Sequence, residues 1–305
     1  MREGVAILGV FVADTAYQAS HLPKVGETIL GTGFAIGPGG KGSNQAVAAA
    51  KAGARTCFIS KIGRDSFADI ALKTYEVAGV TPVIEQMDGV PTGAAFIYVN
   101  NITGENAIII VPGAAGTISI SDVEKARSTI ERAAVFVTQL EQSADAAEFG
   151  LNIARAAGVI TVFNPAPAEV FSESIYPLCD YIVPNESEAS ALVGFDLKTL
   201  DDARTAGDRL LARGVGCALI TLGERGVLYH SAKQSVLQPA MPAGPVIDTT
   251  GAGDAFVGGF SAALSKGIPP VEAVKFGCAT AGIAITRRGT APAMPTYDEI
   301  ASSLN

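Results

Sequence analysis

Histidine is scarce: the 305-residue chain has two, His21 and His230. Neither has a partner at metal-ligand spacing, and a Ser-His-Asp nucleophile would have to use one of them. Both are expected to be ordinary surface or loop side chains. The four cysteines, Cys57, Cys179, Cys217 and Cys278, lie far apart with no CxxC spacing. That argues against disulfides and against a thiolate zinc site. They read as small buried hydrophobes in a reducing compartment. Basic residues are too few for a nucleic-acid partner: 22 Lys and Arg stand against 30 Asp and Glu, for a net charge of −8, and neutralising phosphates needs clustered cations. A small anion held by backbone amides is still allowed. No apolar run reaches about 18 residues, so no membrane helix is expected. The apolar run at residues 5–12 is short and has no small-residue cleavage site, so it reads as a buried first strand, not a signal peptide. The expected location is the cytoplasm. Internal repeats and low-complexity linkers are also lacking.

What the chain does have is apolar bulk, 48% of its residues, enough for a sizeable core. A single catalytic domain over residues 1–305 is expected. Residues 5–11 read as a central strand. Glycines at 39–42 open an alanine-rich helix that Gly53 ends. A strand at 55–62 and a helix at 67–78 follow. Ser121 and Glu124 have the form of a capping box, with Val123, Ala126 and Ile130 on one face of the helix behind it. Strands at 134–140, 160–164, 181–183 and 217–222 then alternate with helices at 144–157, 185–192 and 200–212. A strand pair at 227–230 and 235–238 precedes helices at 254–265 and 271–286. This rhythm predicts a three-layer α/β/α, doubly wound, mostly parallel sheet. Two β-rich pieces, about 12–36 and 93–111, do not fit the rhythm. They are expected to pair as a small β-sheet lid above the carboxyl edge of the main strands, where open α/β sheets place ligands.

Several short stretches carry chemistry. In "DTTGAGDAFVGGF" (residues 248–260), glycines precede an apolar helix, whose first amides and dipole make an anion hole. Asp254 at its mouth could accept a proton from an attacking hydroxyl, or could simply stabilise its own helix. In "GPGGKGSNQA" (37–46) the spacing is not that of a Walker A loop. Gly39 and Gly40 allow close backbone approach, and Lys41 and Asn44 could hydrogen-bond a polyhydroxy substrate; a plain glycine-rich turn is the other reading. In "PNESE" (184–188), Asn185 and Glu188 form a capping box, and could also hold Mg²⁺ through water beside nucleotide phosphates. "TLGERG" (221–226) is either a hairpin turn or a wall over adenine and ribose. Glu141 in "TQLE" (138–141) lies just past a strand, and Asp14 lies at the end of the first strand, the active edge.

In this order the pieces resemble the ribokinase, or PfkB, family of carbohydrate kinases over essentially the whole chain. The signatures are "GPGGKGSNQAVAAAKAG" and "DTTGAGDAFVGGF", supported by "NPAPA" (164–168), "PNESE" and "LITLGERGV". The resemblance implies ATP-dependent phosphorylation of a sugar hydroxyl, with D-ribose as the leading substrate. It makes Asp254 the base and the amides of Gly251, Ala252 and Gly253 the stabilisers of the transferring phosphoryl group. Asp14, Gly39, Gly40, Lys41, Asn44 and Glu141 match sugar-binding positions. Asn185, Glu188, Thr221, Gly223 and Gly226 match nucleotide or Mg²⁺ positions. Asp248, Thr250, Ala284, Arg287, Gly289 and Ala293 match a monovalent-cation loop whose expected ion is K⁺. A homodimer through the lid is expected as well, since pairing two lids would cover exposed strand edges. The sequence departs from the family pattern at two places. Members usually carry Asn two residues before the first-strand aspartate, where Val12 stands, and often read "GAN" where Gly113-Ala114-Ala115 stands. Val12 cannot hydrogen-bond a sugar hydroxyl, so another pentose, a deoxy sugar or a nucleoside stays open.

Overall fold

The computed structural model describes residues 2–304. The chain opens with β1 (Val5–Leu8), β2 (Val12–Ala19), β3 (Gly33–Gly39), α1 (Lys41–Lys51), β4 (Thr56–Ile62), α2 (Ser66–Ala78) and β5 (Val80–Gln86). There follow β6 (Thr92–Asn100), β7 (Asn106–Gly113), α3 (Ile120–Lys125), α4 (Arg127–Arg132), β8 (Val135–Thr138), α5 (Ala144–Ala157), β9 (Ile160–Phe163) and β10 (Tyr181–Ile182). The last part holds α6 (Glu186–Val193), α7 (Leu200–Ala212), β11 (Cys217–Thr221), β12 (Val227–Ser231), β13 (Ser235–Gln238), α8 (Ala252–Ser265), α9 (Pro270–Ala284) and α10 (Tyr297–Ser303).

The main sheet has nine strands in the order β13-β12-β11-β10-β9-β8-β1-β4-β5. From β11 to β5 every pairing is parallel, and β12 and β13 close one side as antiparallel strands. Successive side chains of a strand face opposite sides, and β1 divides accordingly. Val5 and Ile7 join one core with residues of α1, α2, α8 and α9. Ala6 and Leu8 join another with residues of α3, α4, α5 and α7. Helices therefore cover both faces, and the three-layer expectation holds. Among the described residues, no helix is long and apolar enough to cross a membrane.

The two β-rich pieces do form a separate sheet, in the order β3-β2-β6-β7. Its central pair, β2 and β6, is parallel, and the outer pairs are antiparallel. Residues 20–32 of the first piece carry no strand.

Some expectations shift. The first strand ends at Leu8, because residues 9–11 cross from the main sheet to the lid. β5 was not expected: Pro82 and Glu85 dilute its apolar pattern, and an edge strand tolerates both. The capping box forms at Ser119 and Asp122, not at Ser121 and Glu124. The Asp122 carboxylate reaches the Ser119 N–H at 2.9 Å, while Glu124 pairs with Arg127. The helix behind it breaks at Ala126 into α3 and α4. His230 is not a surface side chain. It is buried on β12 between Ser235 and Asp208, at 2.9 Å from each. All four cysteines are free; Cys57 is only half-buried, and burial pushes the Cys278 thiol up to about 12.

Candidate active site

Glycine makes the entry to α1 possible. Gly40 has φ 87°, and a Cβ there would lie 2.4 Å from the Val10 carbonyl oxygen. A Cβ on Gly42 would lie 2.7 Å from the Cα of Gly9. The start of α1 therefore presses directly onto the link between β1 and β2. This sets Lys41 and Asn44 at the carboxyl edge of the main sheet. The Lys41 backbone N–H donates to Glu141 Oε2 at 2.7 Å. Asp14, on β2 of the lid, lies over Gly39, where a Cβ would meet its carboxylate at 2.2 Å.

α8 approaches the same place from the other side. Gly251, at φ 75°, turns the chain into the helix, and Gly253 has no atom within 4 Å of where its Cβ would be. Open space thus lies over the first turn. The Ala252 N–H is engaged by Thr249 O at 3.2 Å, so it is not a free donor as expected. The N–H groups of Gly251, Gly253 and Asp254 have no partner among the described residues. Asp254 is 7% exposed. Its Oδ2 accepts from Asn44 Nδ2 at 3.0 Å, and its Oδ1 from Gln45 Nε2 at 3.1 Å.

Four carboxylates share this region with one ammonium. Burial, reinforced by the Asp254 charge, pushes Asp14 up to about 6. Burial pushes Glu141 up to about 7 against the pull of the Lys41 amide and ammonium. Asp254 and Glu188 are also raised by burial, and Lys41 opposes both shifts. Burial works against the Lys41 charge, yet Asp254, Glu141 and Glu188 together hold its pKa above the ordinary lysine value. Lys41 is thus the common counter-ion of three acids.

A cavity of about 330 Å³ opens beside Asp254, lined by Lys41, Asn185, Glu188, Thr221, Gly223 and the turn from Gly251 to Gly253. Asn185 and Glu188 form the expected capping box, each accepting the other's backbone N–H at 2.8 Å. Thr221 ends β11 beside Asn185, where the two residues form a bridge. Gly226 does not line the cavity; a Cβ there would lie 2.0 Å from Gln238 O, so it serves the β12–β13 hairpin. Behind α8, the Asp248 carboxylate accepts from Thr250 N at 2.9 Å and Gly289 N at 3.0 Å, joining two loops. The Arg287 side chain turns to Glu299 and to the Ala293 carbonyl, and its backbone N–H donates to Ala284 O. Only backbone atoms of Ala284, Arg287 and Ala293 are thus placed to act in that loop. Among the described residues, no cluster of three or more His, Cys, Asp or Glu is arranged to hold a metal. A larger open depression, about 960 Å³, lies at the opposite end of β1 around Arg2, Arg55 and Arg132, away from these carboxylates.

Three residues that sequence reasoning left unassigned complete the site. Gln45, Gln139 and Asn164 are buried beside Asp254 and hydrogen-bonded to one another. All three lie inside stretches that the sequence already marks, Gln45 in "GPGGKGSNQA", Gln139 in "TQLE" and Asn164 in "NPAPA", but nothing in the pattern pairs them with Asp254.

The chain is similar to known proteins along nearly its whole length. A family described as pfkB family carbohydrate kinase matches residues 4–297. The chain is 36% identical over 300 residues to a ribokinase of Haemophilus influenzae, covering 98% of this chain and 97% of that protein. It is 33% identical over 297 residues to a deoxyribokinase of Salmonella typhi, covering 97% and 96%. Among solved structures, the ribokinase of Arabidopsis thaliana complexed with ribose and ATP superposes with a TM-score of 0.93 at 28% identity, covering 100% of this chain and 99% of that one. The ribokinase of Thermotoga maritima gives 0.90 at 34% identity, with 99% of each chain covered.

Proposed function

The chain belongs to the pfkB family of carbohydrate kinases, and from that premise we propose that it transfers the γ-phosphoryl group of ATP to the primary hydroxyl of a pentose, D-ribose giving D-ribose 5-phosphate. One observation carries the reading. Asp254 is buried at a helix start with free amides, on the wall of an open cavity, and its charge acts on the lid acid Asp14. Asp14, Glu141, Lys41 and Asn44, with the backbone of Gly39 and Gly40, surround the sugar. The cavity at Asn185, Thr221 and Gly223 receives the nucleotide.

Asp254 takes the hydroxyl proton as the oxygen attacks, and the N–H groups of Gly251, Gly253 and Asp254 face the charge on the transferring group. Lys41 offsets the acids around it, so an anionic nucleotide can enter. Glu188 lines the cavity together with Glu186 and Asp254, and Mg²⁺ commonly uses one or two carboxylates together with substrate phosphates. Glu188 would hold it through water, and the ion would neutralise phosphate charge. The loops joined by Asp248 would hold K⁺ through hard oxygen donors: the Asp248 carboxylate and the carbonyls of Thr250, Arg287 and Gly289, with those of Ala284 and Ala293, which Arg287 also engages.

Release of ADP across ribose, 2-deoxyribose, fructose and adenosine, with and without K⁺, tests the reading. Ribose should give the highest kcat/KM, and K⁺ should raise it. Asp254→Asn should bind both substrates and lose about 10³-fold in kcat; near-normal turnover there would sink the assignment of the base. ATP binding without turnover on any substrate would instead mark a sensor.

A second reading, 2-deoxyribose, has its own support. Val12 is 2% exposed and lies on β2 opposite Gly39 and Gly93, so the wall two residues before Asp14 is apolar. Such a wall cannot reward an extra hydroxyl. Val12→Asn should then shift the kcat/KM ratio toward ribose. The lid also supports a homodimer: Phe34, Ile109 and Val111 are each more than half exposed, and β3 and β7 leave open strand edges.

A further inference from the structure

We propose that Gln45 is a positioning residue that fixes the Asp254 carboxylate for proton removal, and that Gln139 acts through it. The proposal rests on Asp254 being the base. Its support is a chain of hydrogen bonds whose polarity leaves little freedom. The Val183 carbonyl can only accept. Asn164 therefore turns its Nδ2 to it, at 2.7 Å, and its Oδ1 faces Gln45. Gln45 must answer with its amide nitrogen, which it does at 3.1 Å. The same nitrogen donates to Asp254 Oδ1 at 3.1 Å. The remaining Gln45 Oε1 accepts from Gln139 Nε2 at 2.5 Å. Both N–H bonds and the carbonyl of Gln45 are thus committed.

Gln45 and Gln139 are each 0% exposed, so neither lies open to a ligand or to solvent. Asn164, Val183 and Gln139 stand at the carboxyl ends of β9, β10 and β8. The chain of bonds thus ties the base to three neighbouring strands of the main sheet. Asn44 holds the second carboxylate oxygen. With both oxygens held, the plane of the carboxylate is set before substrate arrives, which is how preorganised bases act. A donor to the charged form also favours that form.

The test is kinetics on Gln45→Met, an unbranched apolar replacement. The other charges facing Asp254 stay in place: Asp14 on β2, Lys41 on α1, Glu141 after β8 and Glu188 on α6. Expected is a fall in kcat of about 10–100-fold, with both KM values within about twofold of the parent. The acid limb of the kcat profile should move to higher pH by about one unit. Gln139→Met should do the same more weakly, and should add nothing in the Gln45→Met background. A folded Gln45→Met enzyme with unchanged kcat and acid limb overturns the proposal, as do fully multiplicative effects of the two changes. If Gln45→Met does not fold, Gln139→Met alone decides by the same limb. Loss of the base reading would appear separately, as turnover in Asp254→Asn.

Discussion

The carboxylate of Asp14 rests on the backbone of Gly39, so close that a Cβ at residue 39 would lie 2.2 Å from its oxygen. The lid acid and the entry to α1 are therefore one packed unit. β2 and β3 pair through this region, with Val12 opposite Gly39.

Gly39→Ala should accordingly act on the sugar and spare the nucleotide. The methyl displaces Asp14, and a charge-assisted contact to a hydroxyl is lost. The sugar KM should rise about tenfold or more, while the ATP KM stays near the parent value. Steady-state kinetics with each substrate varied in turn reads both. Equal increases in the two would show that Asp14 does not serve the sugar.

Ligand-free stability should fall as pH rises from about 5 to 8. Asp14 and Glu141 have folded-state pKa values raised to about 6 and about 7 from ordinary values of 3.8 and 4.5. The folded protein thus binds more protons than the unfolded chain in that window, and its advantage is lost as pH climbs through the raised values. The lowered acids, such as Asp65 and Glu299, change stability mainly below that range. Calorimetric Tm at pH 5, 6, 7 and 8 checks the sign. Glu141→Gln should flatten the slope, and a Tm that rises over this interval contradicts the burial of these acids.

Lys61→Met should destabilise the fold by about 3 kcal/mol and leave kcat intact. The ammonium lies 2.7 Å from Asp122, with both side chains largely buried. Asp122 also holds the start of α3, so its charge cannot simply move to water. Lys125 keeps a partial grip at 3.3 Å, which limits the damage. Urea unfolding measures the loss; a change under about 0.5 kcal/mol, the usual effect of an inert surface substitution, would show the pair to be inert.

Phe34→Ser combined with Ile109→Asp should halve the mass seen by sedimentation if two lids pack together. Both side chains are more than half exposed on the lid, and Phe34 adjoins Tyr17 at 4.9 Å between ring centroids. An unchanged mass places any dimer contact elsewhere.

By itself the sequence determined the layer architecture, because β-branched runs and alanine-rich helices ending in glycine carry a period that survives any packing. It also marked the starts of α1 and α8 to within two residues, since glycine tolerates the positive φ of Gly40 and Gly251. The register of the lid and the edge strand β5 depended on partners far along the chain. So did the shift of the capping box to Ser119, where Asp122 is also gripped by Lys61. The amide chain from Gln139 through Gln45 to Asp254 was hidden for the same reason. Its members are 94 and 209 positions apart, and a hydrogen bond between them exists only once the sheet has brought its strand ends together. Local pattern is written in neighbours three or four residues apart, whereas the orientation of a carboxylate is written in distances that only folding closes.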